Sequence, residues 1–172
     1  MSGVLFLDFD GVLNSVQSEI LSKKDDWEQR KAGEDAYNLT LDKYLMSILN
    51  LLFEYVPETK IVISSSWRLH YSIEEICELM KDNGFKYTSR IVDKTPYTYK
   101  ARGYDIEQYC KEHNIDLYCI FDDSDDMLDE QKKYFVHVNA NIGLTIVDVL
   151  KAVNIFDPEH KILKKYKITF GI

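Results

Sequence analysis

The sequence predicts an α/β fold, a doubly wound and mostly parallel sheet with helices on both faces. Three observations predict it. Short apolar runs alternate with longer segments of helical period, the pattern of successive βαβ units. The best of these runs, Val4–Leu7, Lys60–Ile63 and Leu117–Phe121, are almost wholly apolar, as strands buried on both faces are. Polar clusters follow them, and open α/β sheets gather their sites at the carboxyl ends of the strands. A length of 172 residues suits one domain.

Val4-Leu5-Phe6-Leu7 ends in acids with Gly11 close behind and reads as the first strand. Residues 14–38 hold Lys23, Lys24, Asp25, Asp26, Glu28, Arg30, Lys31, Glu34 and Asp35 and read as a solvated flap with room for a short helix. Leu41, Leu45, Ile48, Leu49, Leu52 and Val56 recur at helical spacing, and Pro57 closes that helix. Lys60–Ile63 is the second strand and runs into Ser64-Ser65-Ser66. Ser72 and Glu75 form a capping box, the helix behind them carries Ile73, Ile76, Cys77 and Met80 on one face, and Gly84 suits its C-terminal cap. Arg90–Val92 is a weak third strand. A helix starts near Gly103 with Ile106, Tyr109 and Cys110 inward. Leu117–Phe121 and Tyr134–Val138 are further strands, and Ile146, Val149, Leu150 and Val153 mark the last helix. This organisation makes residues 1–156 one catalytic domain. Residues 157–172 form a tail with Lys161, Lys164, Lys165 and Lys167, in which Lys167–Phe170 has some strand character.

Composition narrows the function. Lys plus Arg number 21 against 29 Asp plus Glu, a formal net charge of −8, which argues against a protein that coats nucleic acid non-specifically. It leaves room for a local basic site. No apolar run approaches the roughly 20 residues that span a bilayer, so no membrane partner is expected. The N-terminus lacks the basic region of a signal peptide. Cys77, Cys110 and Cys119 form no CxxC pair and read as reduced, mostly buried thiols, which points to a cytoplasmic protein without a zinc site. The sequence assigns no oligomeric state.

The strand ends carry the chemistry. Asp8 and Asp10 follow the first strand, and Gly11 permits a sharp turn there. Asp122 and Asp123 leave the sheet at the same edge, while Asp125 and Asp126 suit a solvated face. Two carboxylates about 4 Å apart repel by roughly 4 kcal/mol at an effective dielectric of 20. Several such acids therefore call for a hard divalent cation with oxygen ligands, Mg²⁺ being the usual one, and Mg²⁺ typically adds phosphate oxygens to one or two carboxylates. Ser64 offers a hydroxyl, and the backbone amides from Ser65 onward can donate to phosphate. Arg102, at the start of a helix, offers a fixed positive charge.

The order DFDGVLN, IVISSSWR, a basic residue ahead of a helix, then IFDD resembles the haloacid dehalogenase (HAD) superfamily of Mg²⁺-dependent phosphatases over residues 4–126. The fuller wording is similar to the small HAD domains of multifunctional RNA-repair proteins. The resemblance implies a Rossmann-like HAD core and a function as a phosphatase acting through an aspartyl-phosphate. It makes Asp8 the nucleophile and Asp10 the acid that protonates the leaving oxygen and then deprotonates water. Mg²⁺ would be held by Asp8, the Asp10 carbonyl and the pair Asp122 and Asp123, either of which can be the direct ligand. Ser64 would bind phosphoryl oxygens. Arg102 fits the basic motif, with Lys100 and Lys94 as rivals. Gly11 and Ser65 join the substrate-binding set, together with Trp67 and Arg68, which can stack on a base or grip a second phosphate. Tyr97, Tyr99 and Tyr104 can line the same rim.

The gap from Ser66 to Arg102 holds only a helix, a strand and a loop, and residues 14–38 are too short for a helical cap, so no large cap domain is expected. An open site suits a macromolecular end such as a polynucleotide 3′-phosphate or a phosphorylated protein segment. The alternative keeps the chemistry and takes a nucleotide or small metabolite, with residues 14–38 as a lid. A non-enzyme alternative is a receiver-like phospho-binding module. Its acid pair follows the first strand side by side, and the order here, DxD first and DD late, opposes it.

Overall fold

The computed structural model describes residues 3–25, 41–159 and 161–165. Five parallel strands, β1 (Val4–Leu7), β2 (Lys60–Ile63), β3 (Ile91–Lys94), β4 (Tyr118–Asp122) and β5 (Phe135–His137), form one sheet in the order β3-β2-β1-β4-β5. The helices are α1 (Val16–Asp25), α2 (Lys43–Tyr55), α3 (Ile73–Asp82), α4 (Arg102–His113), α5 (Ile146–Phe156) and α6 (Lys161–Lys165).

Strand periodicity divides the core. Leu5, Leu7, Ile61, Ile63, Cys119 and Phe121 face one side and pack with α2, α3 and α5 through Leu49, Leu52, Ile76, Met80, Val149 and Val153. Val4, Phe6, Val62, Tyr118 and Ile120 face the other side and pack with Ile106 and Tyr109 of α4. The chain builds outward from β1 to β3, crosses back through α4, and continues with β4 on the other flank of β1. That reversal puts a switch point between β1 and β4, where such sheets bind ligands. Receiver-type sheets place β1 between their second and third strands. Here β1 lies between β2 and β4, so topology as well as motif order opposes the receiver-like reading.

Local signals account for most boundaries. The Ser72–Glu75 capping box is present, with the Glu75 amide donating to Ser72 Oγ at 3.1 Å, and Gly84 at φ 94 follows the C-cap Asn83. Asp42 caps α2, and Thr145 forms a second capping box with Asp148 at the start of α5. β3 runs to Lys94, past the expected end at Val92, because Asp93 and Lys94 continue the pairing with Val62 and Ile63. β4 includes Asp122, whose carbonyl accepts from Val138 N–H at 2.9 Å.

Two segments read only loosely from the sequence take definite form. The charged flap begins as a regular helix, α1, whose first amides donate to the carbonyls of Ala140 and Asn141; residues 26–38 of the flap lie outside the described residues. The lysine-rich tail begins as α6. Phe156, at the end of α5, sits where a Cβ on Gly3 would meet it at 2.5 Å, so the tail starts at the edge of the sheet opposite the carboxyl ends of the strands. Lys161 pairs there with Glu159. The possible strand at Lys167–Phe170 lies outside the described residues. Cys77 and Cys110 are half-buried and Cys119 is buried, all as free thiols. Among the described residues no helix is long and apolar enough to cross a membrane.

Candidate functional site

Asp8 is the first residue beyond β1 and is 3% exposed. Its amide donates to Phe121 O at 3.0 Å, which ties it to β4, and its Oδ1 accepts from Phe9 N–H at 2.8 Å. Asp122, the last residue of β4, is fully buried and accepts from Ser124 N–H at 2.9 Å. Parallel pairing of β1 and β4 therefore brings two acids, distant in sequence, to one edge. Asp123 joins them: ligand oxygens of Asp8, Asp122 and Asp123 lie within 4.8 Å of one another. Gly11 makes this possible. It has φ 72, and a Cβ there would come within 2.6 Å of the Asp123 carboxylate.

Arg102 answers the charge. It opens α4, its Nη1 lies 3.1 Å from Asp8 Oδ1, and its Nε lies 3.1 Å from Asp122 Oδ2. Its Nη1 also donates to Ser64 O, and its amide donates to Asp126 Oδ2 at 2.9 Å. Gly103 lets α4 approach this closely, because a Cβ there would meet Leu128 N at 2.7 Å. The rivals for the basic motif lie elsewhere. Lys94 Nζ donates to the carbonyls of Arg68 and Tyr71, and Lys100 sits over the Tyr104 ring.

Burial raises the Asp8 pKa above the usual carboxylate range, against the pull of Arg102, the Phe9 amide and a hydrogen bond with Ser65. Burial and then the neighbouring Asp8 push Asp122 up to about 8, against Arg102. Arg102 is held above its ordinary value: burial opposes its charge, and Asp8 and Asp122 outweigh that. One guanidinium serves three converging carboxyl groups, so the excess acid holds protons more tightly unless a cation takes their place.

Ser64 is buried against Leu7 O, to which its amide donates at 2.9 Å. Among the described residues, Ser64 Oγ and Asp122 Oδ2 are two of three buried side-chain atoms with no hydrogen-bond partner, the third being Arg68 Nε. Asp122 Oδ2 is close to Arg102 Nε but off its N–H direction. Buried orphans of this kind call for an explanation. An oxyanion beside Ser64 and a cation beside Asp122 would supply the missing partners, so these residues fit a phosphate and a divalent ion.

Asp10 is exposed and lies outside the close group formed by the other three. Its Oδ1 accepts from Asn14 Nδ2 and its Oδ2 from the Trp67 indole N–H, each at 2.9 Å. Trp67 is 5% exposed, edge-on to Phe9 at 5.0 Å between ring centres. It has no face free for a base. Arg68 is 8% exposed, bonded to Asp105 Oδ2 at 2.6 Å and to Ser65 O at 2.7 Å. It cannot grip a substrate phosphate without breaking that pair. The expected substrate contacts of Trp67 and Arg68 are thus corrected: the first holds Asp10, and the second braces the loop after β2. Asn14 and Asp105 were not among the expected site residues, and Asp126, exposed as its solvated-face reading has it, also accepts from the Arg102 amide. Asn14, four residues beyond Asp10 in the Gly11 turn, carried a local signal; Asp105 and Asp126 meet their partners only in the fold.

Comparison with curated proteins and with solved structures returned no match. A family model describing the HAD domain in Swiss Army Knife RNA repair proteins matches residues 4–149, a span that runs from β1 into α5 and contains every residue of the site above. With most of its length matched and its acids, serine and arginine converging at the switch point of the sheet, the chain belongs to this family of HAD domains.

Proposed function

We propose that this HAD-type hydrolase is a phosphomonoesterase that works through an aspartyl-phosphate on Asp8 and acts on a phosphorylated polynucleotide end. The observation that carries the chemistry is the convergence of a buried carboxylate (Asp8), an orphaned buried hydroxyl (Ser64) and a guanidinium (Arg102) at the end of β1. Ser64 Oγ and the amides behind it hold the phosphoryl oxygens, and Arg102 draws in their charge. An Asp8 oxygen attacks phosphorus, the ester P–O bond breaks, and Asp10 gives its proton to the leaving oxygen. A water then attacks the aspartyl-phosphate, Asp10 takes its proton, and Asp8 and inorganic phosphate separate. Trp67 and Asn14 hold Asp10 in place for both transfers. Asp8, Asp123 or Asp122, and the Asp10 carbonyl would hold Mg²⁺, which when bound offsets the negative charge gathered around phosphorus.

The substrate class rests on two supports. The matched family is described from RNA repair proteins. Between β2 and β4 the chain holds only α3, β3, α4 and short 3-10 turns, so that span builds no cap over the site. Small-molecule sites usually enclose most of their ligand. The alternative, a nucleotide or small-metabolite phosphatase, draws on the exposed Val16, Ile20 and Leu21 of α1, which follow the Asp10 turn. Mg²⁺-dependent phosphate release from 3′-phosphorylated oligonucleotides, 5′-nucleotides, sugar phosphates and phosphopeptides separates the readings. The oligonucleotide should lead; a tenfold or greater preference for a nucleotide or sugar phosphate would reject the open-site argument.

A further inference from the structure

The loop between β3 and α4 carries an aromatic cluster that the chemistry above does not use. The Tyr97 and Tyr99 rings lie 4.6 Å apart, and Tyr99 is 86% exposed. Tyr104, in the first turn of α4, is also exposed, and the Lys100 ammonium sits 5.1 Å from its ring centre. Single exposed aromatics are ordinary, but neighbouring exposed rings such as Tyr97 and Tyr99, with Tyr104 five residues on, mark a contact surface.

The backbone beneath it is strained. Tyr99 has φ 60, a region bulky side chains rarely enter. Asn114, at φ 52, is the other non-glycine residue there among those described, and it closes α4 as a left-handed cap; Tyr99 closes no helix. Such strain persists where the surroundings enforce it, and it collects at binding sites. Here the enforcement comes from the site itself. Thr98 N–H and Oγ1 donate to Asp105 at 2.8 and 2.6 Å, Asp105 is paired with Arg68, and Arg68 braces the Ser64–Ser65 turn. Three residues past Tyr99, Arg102 reaches Asp8. At most about 11 Å of extended chain thus separates the exposed ring's residue from that of the phosphate-site cation.

We infer that Tyr97, Tyr99 and Tyr104, with Lys100, form a stacking platform for the nucleobase beside the phosphate that the site hydrolyses; this rests on the polynucleotide-end reading above. Ring faces stack on any base, and a nearby cation complements the adjoining phosphodiester. The loop is tied to the phosphate site through Thr98, Asp105 and Arg68, and the Arg68 guanidinium, which bonds Ser65 O, lies 5.8 Å from the Tyr97 ring centre. Its most exposed ring, Tyr99, stands on a loop rather than on the groove or sheet edge that peptide ligands use.

The test compares wild type, Tyr99→Asn and Tyr99→Trp. Asparagine suits the left-handed backbone and removes the ring, and tryptophan keeps a stacking face. Rates are measured on a 3′-phosphorylated oligonucleotide, the same oligonucleotide with an abasic terminal residue, p-nitrophenyl phosphate and a phosphoserine peptide. Tyr99→Asn should lose roughly tenfold or more in kcat/KM on the oligonucleotide beyond its loss on p-nitrophenyl phosphate, mostly through KM. Tyr99→Trp should keep the oligonucleotide rate. The abasic end should be poor in wild type and little worse in Tyr99→Asn, whose Tm should not fall. Equal losses on both substrates, an unchanged oligonucleotide rate or a marked drop in Tm would overturn the platform and leave the phosphatase reading standing. A peptide rate with the same Tyr99 dependence would also overturn it, by assigning the surface to protein. Wild-type turnover of p-nitrophenyl phosphate but of no oligonucleotide would overturn the polynucleotide reading and the platform together.

Discussion

Asp10 and Asp8 are two residues apart in sequence, yet the structure gives them different surroundings. Asp8 is sealed between β1 and Arg102, whereas Asp10 is exposed and fastened by the Trp67 indole and Asn14. Trp67→Phe keeps the packing against Phe9 and removes the N–H donor. It should lower kcat about tenfold on esters with poor leaving groups and change p-nitrophenyl phosphate much less, because that leaving group needs little protonation. Equal losses across a leaving-group series would show that Trp67 merely supports the fold. Asp122 gives a pH prediction. Its folded-state pKa of about 8, raised by burial and Asp8, exceeds the unfolded value near 4, so the folded chain binds the proton more tightly. Its contribution to stability is complete below about pH 4 and is lost as pH rises through about 8. Metal-free protein should therefore lose Tm over that window, and Mg²⁺ should restore more Tm at pH 8 than at pH 5. Thermal melts with chelator and with Mg²⁺ at both pH values check this; a metal effect independent of pH would contradict it. The DxDG turn and the late acid pair were legible because each directly follows a run of apolar residues, Val4–Leu7 and Tyr118–Phe121. The work of Trp67 was not, since an indole N–H finds its acceptor 57 residues away only in the fold.

At the scale of elements, the site depends on the loop after β2 and the start of α4 being locked together. Arg68 and Asp105 do this from inside, 37 residues apart and almost fully buried, with Thr98 donating twice to the same carboxylate. Removing one partner of a buried pair leaves the other charge uncompensated. Arg68→Met should therefore destabilise the fold by about 3–5 kcal/mol. Replacing Arg68 and Asp105 together by residues of similar volume should cost much less. Urea unfolding of the two variants checks this, and equal stability would show that the pair is not coupled. Sequence alone located α2, α3 and α5 through periodicity, and α3 also through its capping box. It cut β3 short, because the polar Asp93 and Lys94 pair with Val62 and Ile63 only once β2 is beside them. It allowed the flap a short helix without fixing its bounds, because the charged Val16–Asp25 segment has no apolar stripe to mark them.

Across the whole molecule, the strand order makes one edge chemical and the other structural. The turn back over β1 gathers Asp8, Ser64, Arg102 and Asp122 at the carboxyl edge, while the lysine-rich tail starts at the opposite edge. The tail at Lys161–Lys165 is thus poorly placed to grip a substrate at the site. With a formal charge of −8 and Lys100 as the exposed cation on the aromatic rim, salt dependence should be shallow. A log–log slope near −0.7 for kcat/KM on a single-stranded oligonucleotide corresponds to about one phosphate contact. A slope several times steeper would mean that a larger basic surface takes part. The alternation of strands and helices made this architecture legible, since chain direction and crossover rules leave few ways to cover a parallel sheet. The pairing of Arg102 with both acids was legible only as a candidate, because Lys94 and Lys100 have the same charge and lie nearby in sequence. Their hydrogen bonds and ring contacts set them apart. In the proposed reaction every other residue role follows from attack of Asp8 on phosphorus. The most direct measurement is phosphate release from a 3′-phosphorylated oligonucleotide with Mg²⁺, by wild type and by Asp8→Asn of matched folding judged by circular dichroism. Wild type should turn over and Asp8→Asn should release nothing above background, whereas turnover by Asp8→Asn near the wild-type rate would contradict attack by Asp8.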